Sequence, residues 1–281
     1  MGHQALDLPI VETEESGVRL SGQYPSLDIH EYHNSTALSS SGVARLLRSP
    51  MHYKQPFGEP SAAMQLGTAV HLLCLEGRAD LVPLAPEVNR RTKAGKAELE
   101  EWTARQPRGA ILLAPKDRER AYRMYEAVIA TDGLDLSGLA EQSFFGTDAD
   151  GCYRRARPDL YCRDRSLIID LKTTADASEG AFRRSVGNYS YYRQAPWYTD
   201  TLEMCGEAAS DFVFLAVESA APYAVAMYGL DDATIEQGRR DNAKAAKLWT
   251  RCTERGEWPG YQNGVGMLVL PSYLRDIDFD Q

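Results

Sequence analysis

The stretch that most constrains this chain is Leu167-Ile168-Ile169-Asp170-Leu171-Lys172, an apolar run that ends on an acid and a base. The run predicts a buried strand, and side chains two apart on a strand share a face. Asp170 and Lys172 therefore meet at the edge of a core, where charges need partners. A second short strand ends at Arg155-Ala156-Arg157-Pro158-Asp159, and Asp159 lies 170 − 159 = 11 residues before Asp170. If the two strands pair as a hairpin, Asp159 and Asp170 face one divalent cation, with Lys172 where a water attacks phosphorus. The same residues also fit an ordinary strand-end ion pair, because a motif as short as Asp-x-Lys recurs widely.

The surrounding pattern predicts an α/β fold with a helical N-terminal half. Ser39, Ser40 and Ser41 cap a short helix closed by Pro50. A helix over 61–76 places Leu66, Val70, Leu73 and His71 near one another, and amphipathic helices follow over 92–106 and 115–131. Strands over 141–147, 152–162 and 166–171 read as a meander, split by Asp148-Ala149-Asp150-Gly151 and by Asp164-Arg165. Helical signals return over 178–205, strands over 211–218 and 222–229, and a long helix over 231–255. The expected architecture is one domain over 36–281, a central mixed β-sheet flanked by helices. An extended or partly ordered lead-in over 1–35 precedes it.

Composition narrows the class. With 281 residues and 43% hydrophobic content, a disordered or fibrous chain is disfavoured. The five cysteines form no CxxC pair, which argues against a zinc ribbon or a disulfide framework. No apolar run reaches the roughly 18–20 residues of a membrane helix, and the N-terminus lacks a basic-then-apolar export signal, so a cytoplasmic location is expected. A net charge of −9 counts against a surface that coats nucleic acid, though not against a local basic channel.

Two more motifs complete the pattern: Gly67-Thr68-Ala69-Val70-His71, and Gln194-Ala195-Pro196-Trp197-Tyr198, whose Gln194 and Tyr198 share a helix face. Each alone reads as packing. In order, His71, Pro158-Asp159, Asp170-Leu171-Lys172 and Gln194-x-x-x-Tyr198 resemble the PD-(D/E)xK nucleases of the RecB and lambda-exonuclease type. Leu38-Ser39-Ser40-Ser41-Gly42, Arg48-Ser49-Pro50-Met51-His52-Tyr53 and Asp170-Leu171-Lys172-Thr173-Thr174-Ala175-Asp176 further resemble the RecE (exonuclease VIII) nuclease-domain family.

The resemblance implies a PD-(D/E)xK core that holds Mg²⁺, or Mn²⁺ in its place, on His71, Asp159, Asp170 and the backbone carbonyl of Leu171. It implies that Lys172 orients or activates the attacking water, and that Gln194 and Tyr198 position lysine, water and phosphate. Glu141 resembles an additional acid near that water and equally fits a solvent-facing strand end. The family's known behaviour implies a processive 5′-to-3′ exonuclease on double-stranded DNA ends. It also implies a ring-shaped homo-oligomer, tetramer or trimer, and a RecT-type single-strand annealing protein as partner for the 3′ tail.

Arg155 and Arg157 share a strand face and suit a phosphate near the metal, or simply balance an acidic site. Ser39 and Ser41 at a helix start suit a 5′-phosphate, though capping explains them too. Arg183, Arg184 and Arg193 flank Tyr189, Tyr191 and Tyr192, which either contact bases or pack the helix. A restriction-type endonuclease and a catalytically silent DNA-binding scaffold remain alternatives. An iron–sulfur nuclease is excluded, because Cys252 is the one cysteine in the last quarter of the chain. A closed ring that points arginines inward would reconcile the acidic chain with a polyanionic substrate.

Overall fold

A computed structural model describes residues 21–89, 91–261 and 264–271. The N-terminal half runs β1 (Gly22–Tyr24), α1 (Ile29–Asn34), β2 (Leu38–Ser39), α2 (Ser40–Arg48), α3 (Pro50–Tyr53), α4 (Ala62–Cys74), α5 (Lys93–Ala104) and α6 (Pro115–Ile129). Strands β3 (Leu139–Ala140), β4 (Ser143–Thr147), β5 (Tyr153–Ala156), β6 (Leu160–Cys162) and β7 (Leu167–Thr174) follow. Helices α7 (Glu179–Asn188) and α8 (Gln194–Met204), strands β8 (Asp211–Glu218) and β9 (Val225–Tyr228), and helix α9 (Asp232–Arg255) complete the described elements.

The fold is α/β with mixed sheets, and the strands divide between two of them: β1-β4-β5-β2, and β3-β6-β7-β8-β9. In the second sheet β6 and β7 pair antiparallel, β7 and β8 parallel, and β8 and β9 antiparallel. Parallel neighbours need a crossover connection, and α7 with α8 supplies it. That crossover carries Gln194 back over β7.

Two expectations change in detail. The segment 152–162 is not one strand: it breaks at Arg157-Pro158-Asp159, with β5 in the first sheet and β6 in the second. Pro158 has no N–H to give a ladder, so the chain switches sheets there and leaves Asp159 at the join. Within the lead-in, residues 22–24 pair antiparallel with β4 (Gly22 opposite Phe145) and 29–34 are helical, while 1–20 lie outside the described residues.

Alternation along β7 sorts its side chains. Ile169 and Leu171 join Leu66, Val70 and Leu73 of α4 and Met124 and Val128 of α6 in one core. Ile168 packs with Phe182, Leu202 and Phe214 beneath α7 and α8. Asp170 and Lys172 follow Ile168 by twos and so face the α7–α8 side. A third core gathers Leu38, Val43, Leu46, Phe145, Trp197 and Trp249 beneath α2, α8 and α9. Among the described residues no helix is long and apolar enough to cross a membrane.

Candidate active site

The β6–β7 ladder sets Leu160 opposite Ile169, so Asp159, one residue earlier, stands beside Asp170 and Leu171. Its Oδ2 accepts from the Leu171 N–H at 2.8 Å. His71 reaches the same point from α4, its Nε2 donating to the Leu171 carbonyl at 2.9 Å and its Nδ1 lying 3.5 Å from Asp159 Oδ2. Glu141 closes the group: one ligand atom each from His71, Glu141 and Asp159 lie within 4.8 Å of one another. The Glu141 backbone holds a left-handed φ of 51° and its N–H donates to the Asp159 carbonyl at 3.2 Å. A non-glycine residue in that region carries strain, and here the turn aims a carboxylate inward.

Asp170 is fully buried. Its Oδ1 accepts from Gln194 Nε2 at 2.6 Å, and Gln194 Nε2 also donates to Tyr198 Oη at 3.0 Å. Its Oδ2 is in contact with the Lys172 ammonium and has no further hydrogen-bond partner. The Lys172 ammonium also sits over the Tyr191 ring, 4.8 Å from its centroid. Asp170 is thus held by Lys172 and Gln194 and lies beside the group formed by His71, Glu141 and Asp159.

The electrostatics follow from crowding of like charges. Burial first, then Asp159, Glu76 and Asp170, push the Glu141 carboxyl up to about 8, against the pull of Arg157. Burial, then Asp159, push Asp170 up to about 6, opposed by Lys172. For Lys172, burial works against the ammonium, but Asp170 and Asp159 outweigh it and hold its pKa above the usual lysine value. Glu76, itself raised by burial, is absent from the sequence expectations. Its one signal there is its place five residues beyond His71.

These residues fit a hard divalent cation. Two carboxylates, a carbonyl and one imidazole make an oxygen-rich donor set suited to Mg²⁺ or Mn²⁺. Four mutually repelling carboxylates, Glu76, Glu141, Asp159 and Asp170, need positive charge that Lys172 and Arg157 supply only in part.

Beside this group opens a cleft of about 370 Å³ lined by Ser39, Ser41, Glu141, Arg155, Arg157, Arg193, Gln194 and Tyr198, among others. The cleft thus gathers Ser39, Ser41, Arg155, Arg157 and Arg193 from the candidate DNA contacts, whereas Arg183, Arg184 and Tyr192 do not line it, and most of the gathered donors are already committed. Arg155 donates to the backbone carbonyls of Tyr32, His33 and Ser35, and Arg157 donates to that of Leu27 at 2.5 Å. Arg193 Nε lies 3.2 Å from Asp241 Oδ2. Ser39 caps α2, accepting from the Gly42 N–H at 3.1 Å, and its Oγ lies 3.1 Å from that of Ser41.

Comparison with known proteins bears on the family and the fold. A family model described as a PDDEXK-like domain of unknown function, DUF3799, matches residues 39–268. A solved structure from Eubacterium rectale, described as a candidate exonuclease, aligns with a TM-score of 0.56 at 13% identity, covering 85% of this chain and 96% of that one. That likeness is one of fold. A phage-related exonuclease from Haemophilus somnus 129PT aligns with a TM-score of 0.32 at 14% identity, covering 80% of this chain and 99% of that one. No curated protein sequence matches the chain.

Proposed function

This chain belongs to the family described as a PDDEXK-like domain of unknown function, DUF3799, and from that premise we propose that it is a divalent-metal-dependent deoxyribonuclease. The observation that carries the reading is the meeting of His71, Glu141 and Asp159 within 4.8 Å of one another, beside Asp170 and Lys172. Mg²⁺, with Mn²⁺ as substitute, would rest on His71, Asp159, Asp170 and the Leu171 carbonyl, with Glu141 beside them. When bound it supplies Lewis-acid chemistry, offsetting phosphate charge and easing deprotonation of the attacking water.

The chain's own groups do the rest. Lys172, kept charged by Asp170 and Asp159, presents an ammonium to the water or to the charge that builds on phosphorus. Gln194 fixes Asp170 from the first turn of α8, so Lys172 is not free to swing. Tyr198 in turn accepts from Gln194 and keeps that amide oriented.

The finer reading is a processive 5′-to-3′ exonuclease on linear duplex DNA that leaves 3′ tails for recombination by strand annealing, with a RecT-type protein as recipient. It includes a ring-shaped homo-oligomer, a tetramer or trimer. Support comes from the resemblance above, from the acidic net charge of −9, and from an exposed apolar stretch, Val265 to Leu270. Digestion of end-labelled linear and covalently closed circular duplex DNA, with Mg²⁺ and with EDTA, tests it. Loss of linear DNA alone, in Mg²⁺ alone, is the expected result. Cutting of circles indicates an endonuclease, and no cutting indicates a silent scaffold.

A further inference from the structure

The three neighbouring tyrosines of the Tyr189–Tyr192 segment end in three different surroundings. Tyr192 Oη donates to Asp241 Oδ2 at 2.8 Å, which ties it to α9. Tyr191 packs on Phe214 at 5.9 Å and carries the Lys172 ammonium over its ring. Tyr189 is 67% exposed, and its ring lies 5.5 Å from that of Tyr191, tilted by 31°. Between the two rings Ser190 adopts a left-handed φ of 60°, a conformation that costs a non-glycine residue about 1 kcal/mol or more.

A single exposed ring needs no explanation. Here, however, Tyr189 lines the same cleft as Phe57, which is 64% exposed, and Ile29. That cleft also holds the Ser39 and Ser41 hydroxyls and Gln194, the residue hydrogen-bonded to Asp170. A flat aromatic face, further apolar lining and a polar margin beside the candidate metal ligands match one class of ligand: a nucleobase whose own phosphate reaches the carboxylates. The cleft, about 370 Å³, falls at the small end of ligand sites, as a single nucleotide requires.

We infer that Tyr189 is the platform of a nucleobase-stacking subsite, with Phe57 as a second apolar contact, that holds the terminal nucleotide of the strand being cut. This rests on the nuclease reading proposed above. The ring chain Tyr189–Tyr191–Lys172 links the stacked base to the ammonium that meets its phosphate. Because every base has a π-face, stacking of this kind tolerates any sequence. The subsite therefore distinguishes a base from no base, and not one base from another.

The test pairs a binding signal with a kinetic one. Duplexes carrying 2-aminopurine at the 5′ terminus are titrated with Lys172→Met protein in Mg²⁺. Fluorescence quenching is expected, to be lost when Tyr189→Ala is added and kept with Tyr189→Phe. In the otherwise unaltered protein, Tyr189→Ala should raise KM for normal ends about tenfold, the scale of one stacked base. For ends whose terminal nucleotide is abasic it should change nothing. The unsubstituted protein should itself prefer normal over abasic ends.

Equal handling of normal and abasic ends by the unsubstituted protein would overturn the inference even if Tyr189→Ala failed to fold. So would an equal penalty from Tyr189→Ala on both ends. Quenching that depends on Tyr189 without digestion of any DNA would uphold the subsite and remove the nuclease reading instead.

Discussion

At the residue scale, Asp159 and Lys172 are the sharpest probes of the site because each can be neutralised with little change of shape. Asp159→Asn keeps an acceptor for the Leu171 N–H and removes the charge offered to the cation. Lys172→Met keeps an unbranched stem of similar length and removes the ammonium that lies over the Tyr191 ring. Each should lower Mg²⁺-dependent digestion on the order of a thousandfold while the circular dichroism spectrum stays native. Full activity in either variant would remove that residue from the site. A pH effect follows from the raised carboxyls. Glu141 ordinarily titrates near 4.5 and Asp170 near 3.8, and the fold moves them to about 8 and about 6. The folded protein thus binds protons more tightly than the unfolded chain, so this contribution is complete below the ordinary values and is lost as pH rises through the folded ones. Metal-free protein should melt at a progressively lower temperature from about pH 5 to about pH 8. Added Mg²⁺ stabilises by displacing those protons, and it should recover more of the melting temperature at the higher pH. A melting temperature that rises with pH in EDTA would contradict the crowding of Glu141 and Asp170.

At the element scale, α9 lies against the turn that bears the tyrosines, and Gly238 is what permits it. A Cβ there would fall 2.3 Å from the Tyr192 carbonyl oxygen and 2.8 Å from Pro196 Cγ. On an open helix face, replacing glycine with alanine gains about 1 kcal/mol. Here the clash with backbone prevails, and Gly238→Ala should cost about 1–3 kcal/mol of stability in urea unfolding. A gain in stability would show that α9 stands farther from the turn. These helices were largely legible in the sequence because caps and periodicity are local: Ser39 before α2 marks a helix start. The hairpin that joins Asp159 to Asp170 was legible for the same reason. The sheet switch at Pro158 was not, because which sheet a strand joins is decided by contacts far away in the chain. Glu76 shows the same limit within the site, since only the fold turns the end of α4 toward Glu141. The arginines show it in reverse: a basic strand looks free in sequence, whereas Arg155 in the fold holds three carbonyls at the C-terminal end of α1.

At the scale of the whole molecule, the chain from Trp258 to Leu270 changes character abruptly. Trp258 stacks on Tyr53 at 5.3 Å, the Met51 N–H donates to the Pro259 carbonyl at 3.0 Å, and Arg48 Nε donates to Tyr261 Oη at 3.2 Å. This part is pinned to α2 and α3, next to the cleft that Ser39 and Ser41 line. Beyond it, Val265, Met267, Leu268 and Val269 are 96%, 90%, 98% and 73% exposed. Burying such side chains is worth about 1.5–3 kcal/mol each, so a stretch of this kind is a ready contact for the ring proposed above. The expectation is concrete. Light scattering should return a mass of several chains for the unsubstituted protein, and Met267→Asp combined with Leu268→Asp should shift it to one chain without lowering the melting temperature of the fold, since neither side chain contributes to a core. Digestion of linear DNA by the doubly substituted protein should then turn distributive, because a single acidic chain has nothing to keep it on a polyanion between cuts. An assembled mass that survives both substitutions would place the ring contact elsewhere, and a single-chain mass for the unsubstituted protein would leave no ring to explain.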